Sequence, residues 1–93
     1  LSFCVNLQQL RTFCEVAGEL SFTLAAKKMH YAQSSVTAQI RNLEEAVGAV
    51  LFDRKGRRIA LTEAGTRLLP YAEMMLCIAE AAHKEVGETV PAA

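Results

Sequence analysis

From Glu63 to about Glu88 the chain carries a helical pattern too long for the small domain in front of it, and this constrains the fold more than any other feature. Within it Leu68, Ala72, Met75, Ala79, Ala82 and Val86 step by 4, 3, 4, 3 and 4, a coiled-coil rhythm sustained for roughly three heptads. Such a seam asks for a partner helix, so these six residues are the expected dimer interface. Thr62 precedes the pattern, and Glu63 places an acid in the first turn, where the helix dipole favours it. Pro70 lies near the start and predicts a bend or an irregular hydrogen bond rather than a break.

The residues before this helix divide into shorter elements. Asn6 is a candidate N-cap for a helix from Leu7 to about Ala17, in which Leu7, Leu10, Phe13, Cys14 and Ala17 recur at helical spacing and Gly18 supplies a stop. Ser21 caps a second, short helix over 22–29, with Leu24, Ala25, Ala26 and Met29 on its apolar side. After His30, Tyr31 and Ala32 comes a third helix from about Gln33 to Val47. Its Val36, Ile40, Leu43 and Val47 fall within about 60° of one another, and Gly48 closes it. Val50 to Asp53 and Arg58 to Leu61 then predict two strands joined by a basic turn at Gly56. Three helices, a hairpin and a long helix make a mainly α chain with the order of a winged helix-turn-helix. The expected division is 1–62 for that domain, 63–88 for the linker and dimerisation helix, and 89–93 for a frayed tail.

Composition narrows the functional classes. With 52% apolar residues in 93, the chain is globular rather than disordered. Its apolar runs, Ala46 to Phe52 counting Gly48 and Met74 to Ala79, hold seven and six residues. Roughly 20 are needed to span a bilayer, so no membrane association is expected. Three scattered cysteines, Cys4, Cys14 and Cys77, argue against a disulfide framework and suit a reducing cytoplasm. The net charge of zero conceals a segregation: residues 27–58 hold seven bases and three acids, a local +4, whereas 73–93 hold one base and four acids. A polyanion would meet the middle of the chain.

A short helix, a three-residue turn and a longer helix form the arrangement in which the second helix lies in a DNA major groove. The face of the third helix opposite its apolar stripe carries Ser34, Ala38, Arg41 and Glu45, with Gln33 and Thr37 to one side. Gln and Arg side chains can bond base edges in pairs, and Ser and Thr can donate to bases or phosphates. The same residues would also suit an ordinary solvated helix face. Arg54, Lys55, Arg57 and Arg58 around Gly56 add a basic tip able to reach phosphates or a narrow minor groove.

These segments together resemble the N-terminal domain of a LysR-type transcriptional regulator, a bacterial family. The matching residues are Leu10-x-x-Phe13-x-x-Val16-Ala17, Ser21-Phe22-Thr23-x-Ala25-Ala26, Gln33-Ser34-Ser35-Val36-Thr37-x-Gln39-Ile40, Leu43-Glu44-x-x-x-Gly48, Leu51-Phe52-x-Arg54, Leu61-Thr62-x-Ala64-Gly65 and Leu68-Leu69-x-Tyr71-Ala72. The resemblance implies a dimer with paired linker helices that binds interrupted inverted repeats of double-stranded DNA, in regulators that usually work as tetramers. It also implies an effector-binding domain after the linker helix. Carried over residue by residue, the DNA-contacting positions fall on Gln33, Ser34, Ser35, Thr37 and Ala38 with Arg41 nearby, and Arg54 matches the wing arginine. The chain departs from the family at Ala38, where many members place arginine, at Ala32, where a capping Ser or Thr is common, and at Gly18-Glu19-Leu20, which shifts the usual glycine.

Other chemistries find less support. Cys77 and His83 are six residues apart on a helix, about 120° around its axis, which ill suits a shared metal. Cys14 falls on an apolar stripe, Cys77 lies opposite the seam, and His30 suits packing or phosphate contact better than acid–base work. No nucleophile with a base and no carboxylate pair can be assembled, so neither an enzyme nor a cofactor is expected. The sequence therefore predicts a homodimer that reads double-stranded DNA. A dimeric helical adaptor that does not touch nucleic acid is the alternative, and RNA binding, which favours exposed aromatics, is a weaker third.

Overall fold

All but one of the helices start where a polar side chain meets otherwise unpaired backbone amides, and those starts set the architecture. The computed structural model describes residues 4–56 and 58–89. It comprises α1 (Leu7–Glu19), α2 (Phe22–Met29), α3 (Gln33–Val47), β1 (Phe52–Asp53), β2 (Ala60–Leu61) and α4 (Glu63–Thr89), a mainly α winged helix-turn-helix with a long C-terminal helix. Asn6 opens α1 with a reciprocal cap: its Oδ1 accepts from the Gln9 amide at 2.8 Å, and Gln9 Oε1 accepts from the Asn6 amide at 3.2 Å. Ser21 Oγ caps α2 by accepting from the Leu24 amide at 3.1 Å. Ala32, which starts α3, makes no side-chain cap bond, and its carbonyl accepts from the Ser35 and Val36 amides.

Two expected boundaries move. Gly18 does not end α1; the helix runs on to Glu19 and stops at Leu20, a non-glycine residue in the left-handed region at φ 51° whose amide donates to the Val16 carbonyl at 2.7 Å. The stop is set one residue before the Ser21 cap of α2, and Gly18 sits exposed with open space about its Cα. The strands are shorter than the apolar pattern suggests, pairing Phe52 with Leu61 and Asp53 with Ala60 alone. Val50 and Leu51 leave the ladder because their carbonyls bond Thr62, and the Leu51 amide donates to the Glu44 carboxylate at 2.8 Å.

The core lies where α1, α2, α3, the base of the hairpin and the first half of α4 converge. Leu10, Phe13, Val16, Phe22, Ala25, Ala26, Val36, Ile40, Leu43, Leu51, Phe52 and Ala72 are buried there. Leu7 and Leu24, expected on the apolar sides of α1 and α2, are instead about half exposed, at 47% and 52%. Thr12 is fully buried, with its hydroxyl donating to Gln39 Oε1 on α3 and accepting from Gln8 Nε2, so α1 and α3 share a polar clasp within the apolar contact.

Thr62 joins the hairpin to α4. Its hydroxyl donates to the Val50 carbonyl at 2.6 Å and accepts from the Gly65 amide at 3.1 Å, while its own amide donates to the Leu51 carbonyl at 3.0 Å. From there α4 runs through the exposed Pro70 without ending and continues to Thr89, the last described residue; the rest of the expected tail, 90–93, lies outside the described residues. Leu68, Leu69, Ala72 and Leu76 pack on the core, so the core extends past residue 62 into this helix. Beyond Leu76 its described side chains are exposed except the half-buried Ala79, and the molecule reaches 51 Å in its longest dimension.

Candidate nucleic-acid interface

The turn between α2 and α3 determines how the third helix is presented. His30 takes the left-handed region at φ 60° and its amide closes α2 on Ala26 and Lys27, so α3 starts only three residues after α2 ends. His30 itself is exposed. Lys28 bridges back to Glu15 on α1 at 3.4 Å, which commits one base of the positive middle segment to holding α2 on α1. The remaining described bases of that segment are Arg41 on α3, Arg54, Lys55 and Arg58 on the wing, and the exposed Lys27.

The structure exposes most of the residues expected on the reading face. Gln33, Ser34, Ser35, Ala38 and Arg41 are exposed along α3, and Thr37 is half-buried at the edge of that face. On the wing Arg54, Lys55 and Arg58 are exposed, and Asp53 Oδ1 accepts from the Lys55 amide at 3.0 Å to tighten the turn. Arg57 lies outside the described residues.

Two open hollows meet at Arg54. One, of about 330 Å³, is bordered by Thr23 from α2, Gln33 and Thr37 from α3, and Arg54 and Arg58 from the wing. The other brings Arg41 of α3 beside Arg54 and Lys55, with Glu44 and Asp53 on its rim. The exposed face of α3 and the hairpin tip therefore border common ground, which the sequence pattern left open. Ser34, Ser35 and Ala38 border neither hollow.

Two side chains that sequence reasoning did not assign to the interface orient residues that it did, and a third fixes the root of the hairpin. Thr23 Oγ1 donates to Gln33 Oε1 at 3.1 Å, so the Gln33 amide nitrogen is left free to donate. The Phe22 ring lies under Arg54, whose guanidinium carbon is 4.3 Å from the ring centroid. The Glu44 carboxylate holds the Leu51 amide at the root of the hairpin. All three belong to the matched segments Ser21-Phe22-Thr23 and Leu43-Glu44, so the signal was present, but a role for each needs a partner distant in sequence.

The seam expected along α4 divides between two surfaces. Ala72 is fully buried and Leu68 is half-buried against the core, so the first two positions face this chain's own α1 and hairpin base. Met75, Ala82 and Val86 are exposed and Ala79 is half-buried. The exposed apolar stripe is instead Tyr71, Met74, Met75, Ile78 and Val86, and it continues into a shallow hollow lined by Val47, Leu51, Ala64, Leu68 and Tyr71. The mismatch has a geometric cause: Tyr71 and Ala72 are neighbours in sequence and so point about 100° apart, one outward and one inward. Among the described residues no helix is long and apolar enough to cross a membrane, and no cluster of three His, Cys, Asp or Glu side chains is placed to hold a metal ion.

Comparison with known proteins places this geometry. Residues 7–66 match the model of the bacterial regulatory helix-turn-helix protein, lysR family. The HTH-type transcriptional regulator YwqM of Bacillus subtilis, itself uncharacterized, is 49% identical over 78 residues, covering 84% of this chain and 27% of YwqM. HdfR of Shigella boydii is 44% identical over 85 residues, covering 91% of this chain and 30% of HdfR. The chain thus spans less than a third of these regulators' length. Among solved structures, the BenM DNA-binding domain in complex with catB site 1 DNA superposes with a TM-score of 0.88 at 32% identity, covering 96% of this chain and all of that one. Vibrio fischeri DarR in complex with DNA gives 0.88 at 30% identity, covering 91% of this chain and 29% of DarR.

Proposed function

The chain belongs to the lysR family of bacterial regulatory helix-turn-helix proteins, and from that premise we propose that it binds double-stranded DNA sequence-specifically as a homodimer, forming the DNA-reading part of a longer transcription regulator. The observation that carries the reading is the groove in which Gln33 and Thr37 of α3 face Arg54 and Arg58 of the wing. In this arrangement α3 enters the major groove, where Gln33, Ser34, Ser35, Thr37, Ala38 and Arg41 lie nearest the base edges and phosphates. Arg54, Lys55 and Arg58 reach the flanking backbone or the minor groove. The DNA complexes of the BenM domain and of DarR support this placement by similarity of fold.

Two copies read two half-sites of an interrupted inverted repeat. The dimer forms through α4, with Met75, Ala82 and Val86 retained from the seam, Ala79 at its edge, and Tyr71 and Ile78 taking the roles expected of Leu68 and Ala72. Exposure of 61% at Tyr71 and 68% at Ile78 leaves apolar surface that a second copy would cover.

The test is fluorescence anisotropy with a random duplex and with a duplex enriched from a random pool, over a salt series. Preference for the enriched duplex that persists as salt rises is the expected result, and Arg54→Ala should weaken binding to every sequence and lower the salt slope. Absence of salt-dependent binding to either duplex would overturn the reading in favour of a dimeric adaptor built on α4 alone.

A further inference from the structure

Phe22 is an unusual neighbour for a DNA-contacting arginine because it is part of the core. It is only 8% exposed, and its ring stands edge-on to Phe52 with centroids 5.8 Å apart. Phe52 in turn packs on Phe13 at 5.5 Å. Three rings drawn from α1, α2 and β1 thus form a continuous aromatic column from the centre of the domain to its surface. The guanidinium of Arg54 caps the outer end of that column, 4.3 Å from the Phe22 centroid.

We propose that Phe22 is a positioning residue that holds Arg54 in its DNA-binding pose before DNA arrives. The proposal rests on the reading of Arg54 as a DNA contact. A guanidinium is planar and weakly hydrated, so it stacks on an aromatic face while its N–H groups remain directed outward to solvent or phosphate. An arginine in the exposed turn that follows β1 would otherwise sample many rotamers, and ordering it on binding would oppose association. No acidic side chain among the described residues forms an ion pair with Arg54, so its charge stays available to a phosphate while its orientation is fixed from below. The same ring thereby couples the wing to α2, whose next residue, Thr23, orients Gln33. One turn of α2 sets both the wing contact and the first residue of the recognition helix.

The experiment is a double-mutant cycle on duplex binding by the intact chain: wild type, Phe22→Leu, Arg54→Ala and the double variant, each against the enriched duplex at one salt concentration. Phe22→Leu should weaken binding about two- to fivefold in the wild-type background and leave affinity unchanged in the Arg54→Ala background. Phe22→Tyr, which keeps the ring face, should bind like wild type. In the free protein, the Arg54 side-chain protons should show an upfield ring-current shift that Phe22→Leu abolishes and Phe22→Tyr preserves. Should Phe22→Leu fail to fold, Phe22→Met supplies the same loss of the ring with a flexible side chain of similar bulk. Equal losses in both backgrounds, or an unshifted Arg54, overturn the positioning role and leave DNA binding standing. A wild type that binds no duplex overturns the DNA reading and the proposal with it.

Discussion

A β-carbon added to Gly65 would stand 2.3 Å from the carbonyl oxygen of Leu51, and 2.8 Å from Leu61 Cδ2. The first turn of α4 therefore lies directly against the chain leading into β1, and the Leu51 carbonyl in question already accepts from the Thr62 amide at 3.0 Å. Because the obstacle is backbone, it cannot rotate aside as a side-chain tip would. Gly65→Ala is expected to lower stability by about 1–3 kcal/mol, the range for forcing volume into a packed site. It should also weaken DNA binding, because the hairpin root must shift. Thermal unfolding followed by circular dichroism checks the first effect and duplex anisotropy the second; wild-type melting would mean that the start of α4 slides freely past Leu51.

The bond from Thr23 to Gln33 makes a prediction about sequence preference. With its oxygen engaged, the Gln33 amide presents its nitrogen, a donor suited to acceptors on a base edge such as guanine O6 and N7 or thymine O4. Thr23→Val keeps the shape and removes the hydroxyl, freeing the amide to turn. Discrimination at one base position is expected to fall about fivefold, the equivalent of about 1 kcal/mol, with melting temperature unchanged because the bond is exposed. Competition against duplexes varied one position at a time is the check. A uniform loss at all positions would place Thr23 on the phosphate backbone instead.

How far the sequence could be read depended on whether the deciding interaction was local. Ser21 marks the start of α2 and Gly48 the end of α3, and those two helices fall where the pattern puts them. Gly18 misleads because a glycine is permitted rather than required at a helix end, and the Ser21 cap two residues beyond Glu19 decided the outcome. The α4 pattern misleads for another reason: heptad spacing sums the residues that face the core, Leu68 and Ala72, with those that face outward, Met75 and Val86, and periodicity alone does not separate them. The stacking of Arg54 on Phe22 and the bond from Glu44 to the Leu51 amide link elements that meet only in the folded chain. The residue types at the candidate interface were legible, whereas the contacts that orient them were not.

Cys14 offers a pH-dependent prediction away from the interface. Burial, and to a lesser degree the nearby carboxylates of Glu73 and Glu15, push its thiol up from 9.0 to about 11. In the folded protein it stays protonated between those values, whereas in the unfolded chain it ionises near 9.0, so over that window the native state binds more protons. The contribution of Cys14 to stability is thus full below pH 9 and is lost as pH rises towards about 11. Cys14→Ser is expected to flatten the fall of melting temperature across that interval. Alkylation at pH 8 followed by peptide mass mapping should label the exposed Cys4 and Cys77 well before Cys14. Equal rates at the three thiols would mean that α1 and α4 part readily around Cys14.

The two faces of α4 can be separated by placing the same charge on each. Ile78 is 68% exposed in the single chain, whereas Ala72 is fully buried between α4 and the core. If the outward stripe is the dimer surface, Ile78→Glu sets two carboxylates into an apolar contact between copies and should shift the protein to monomer while the helical circular dichroism persists. Ala72→Glu instead drives an unpaired charge and extra volume into the domain, and is expected to cost more than about 3 kcal/mol, enough to unfold much of the protein. Sedimentation velocity on the first variant and thermal unfolding on the second distinguish the surfaces. A dimer that survives Ile78→Glu would move the interface off this stripe. A folded Ala72→Glu protein that has become monomeric would restore Ala72 to the intermolecular seam and require α4 to pack differently on α1.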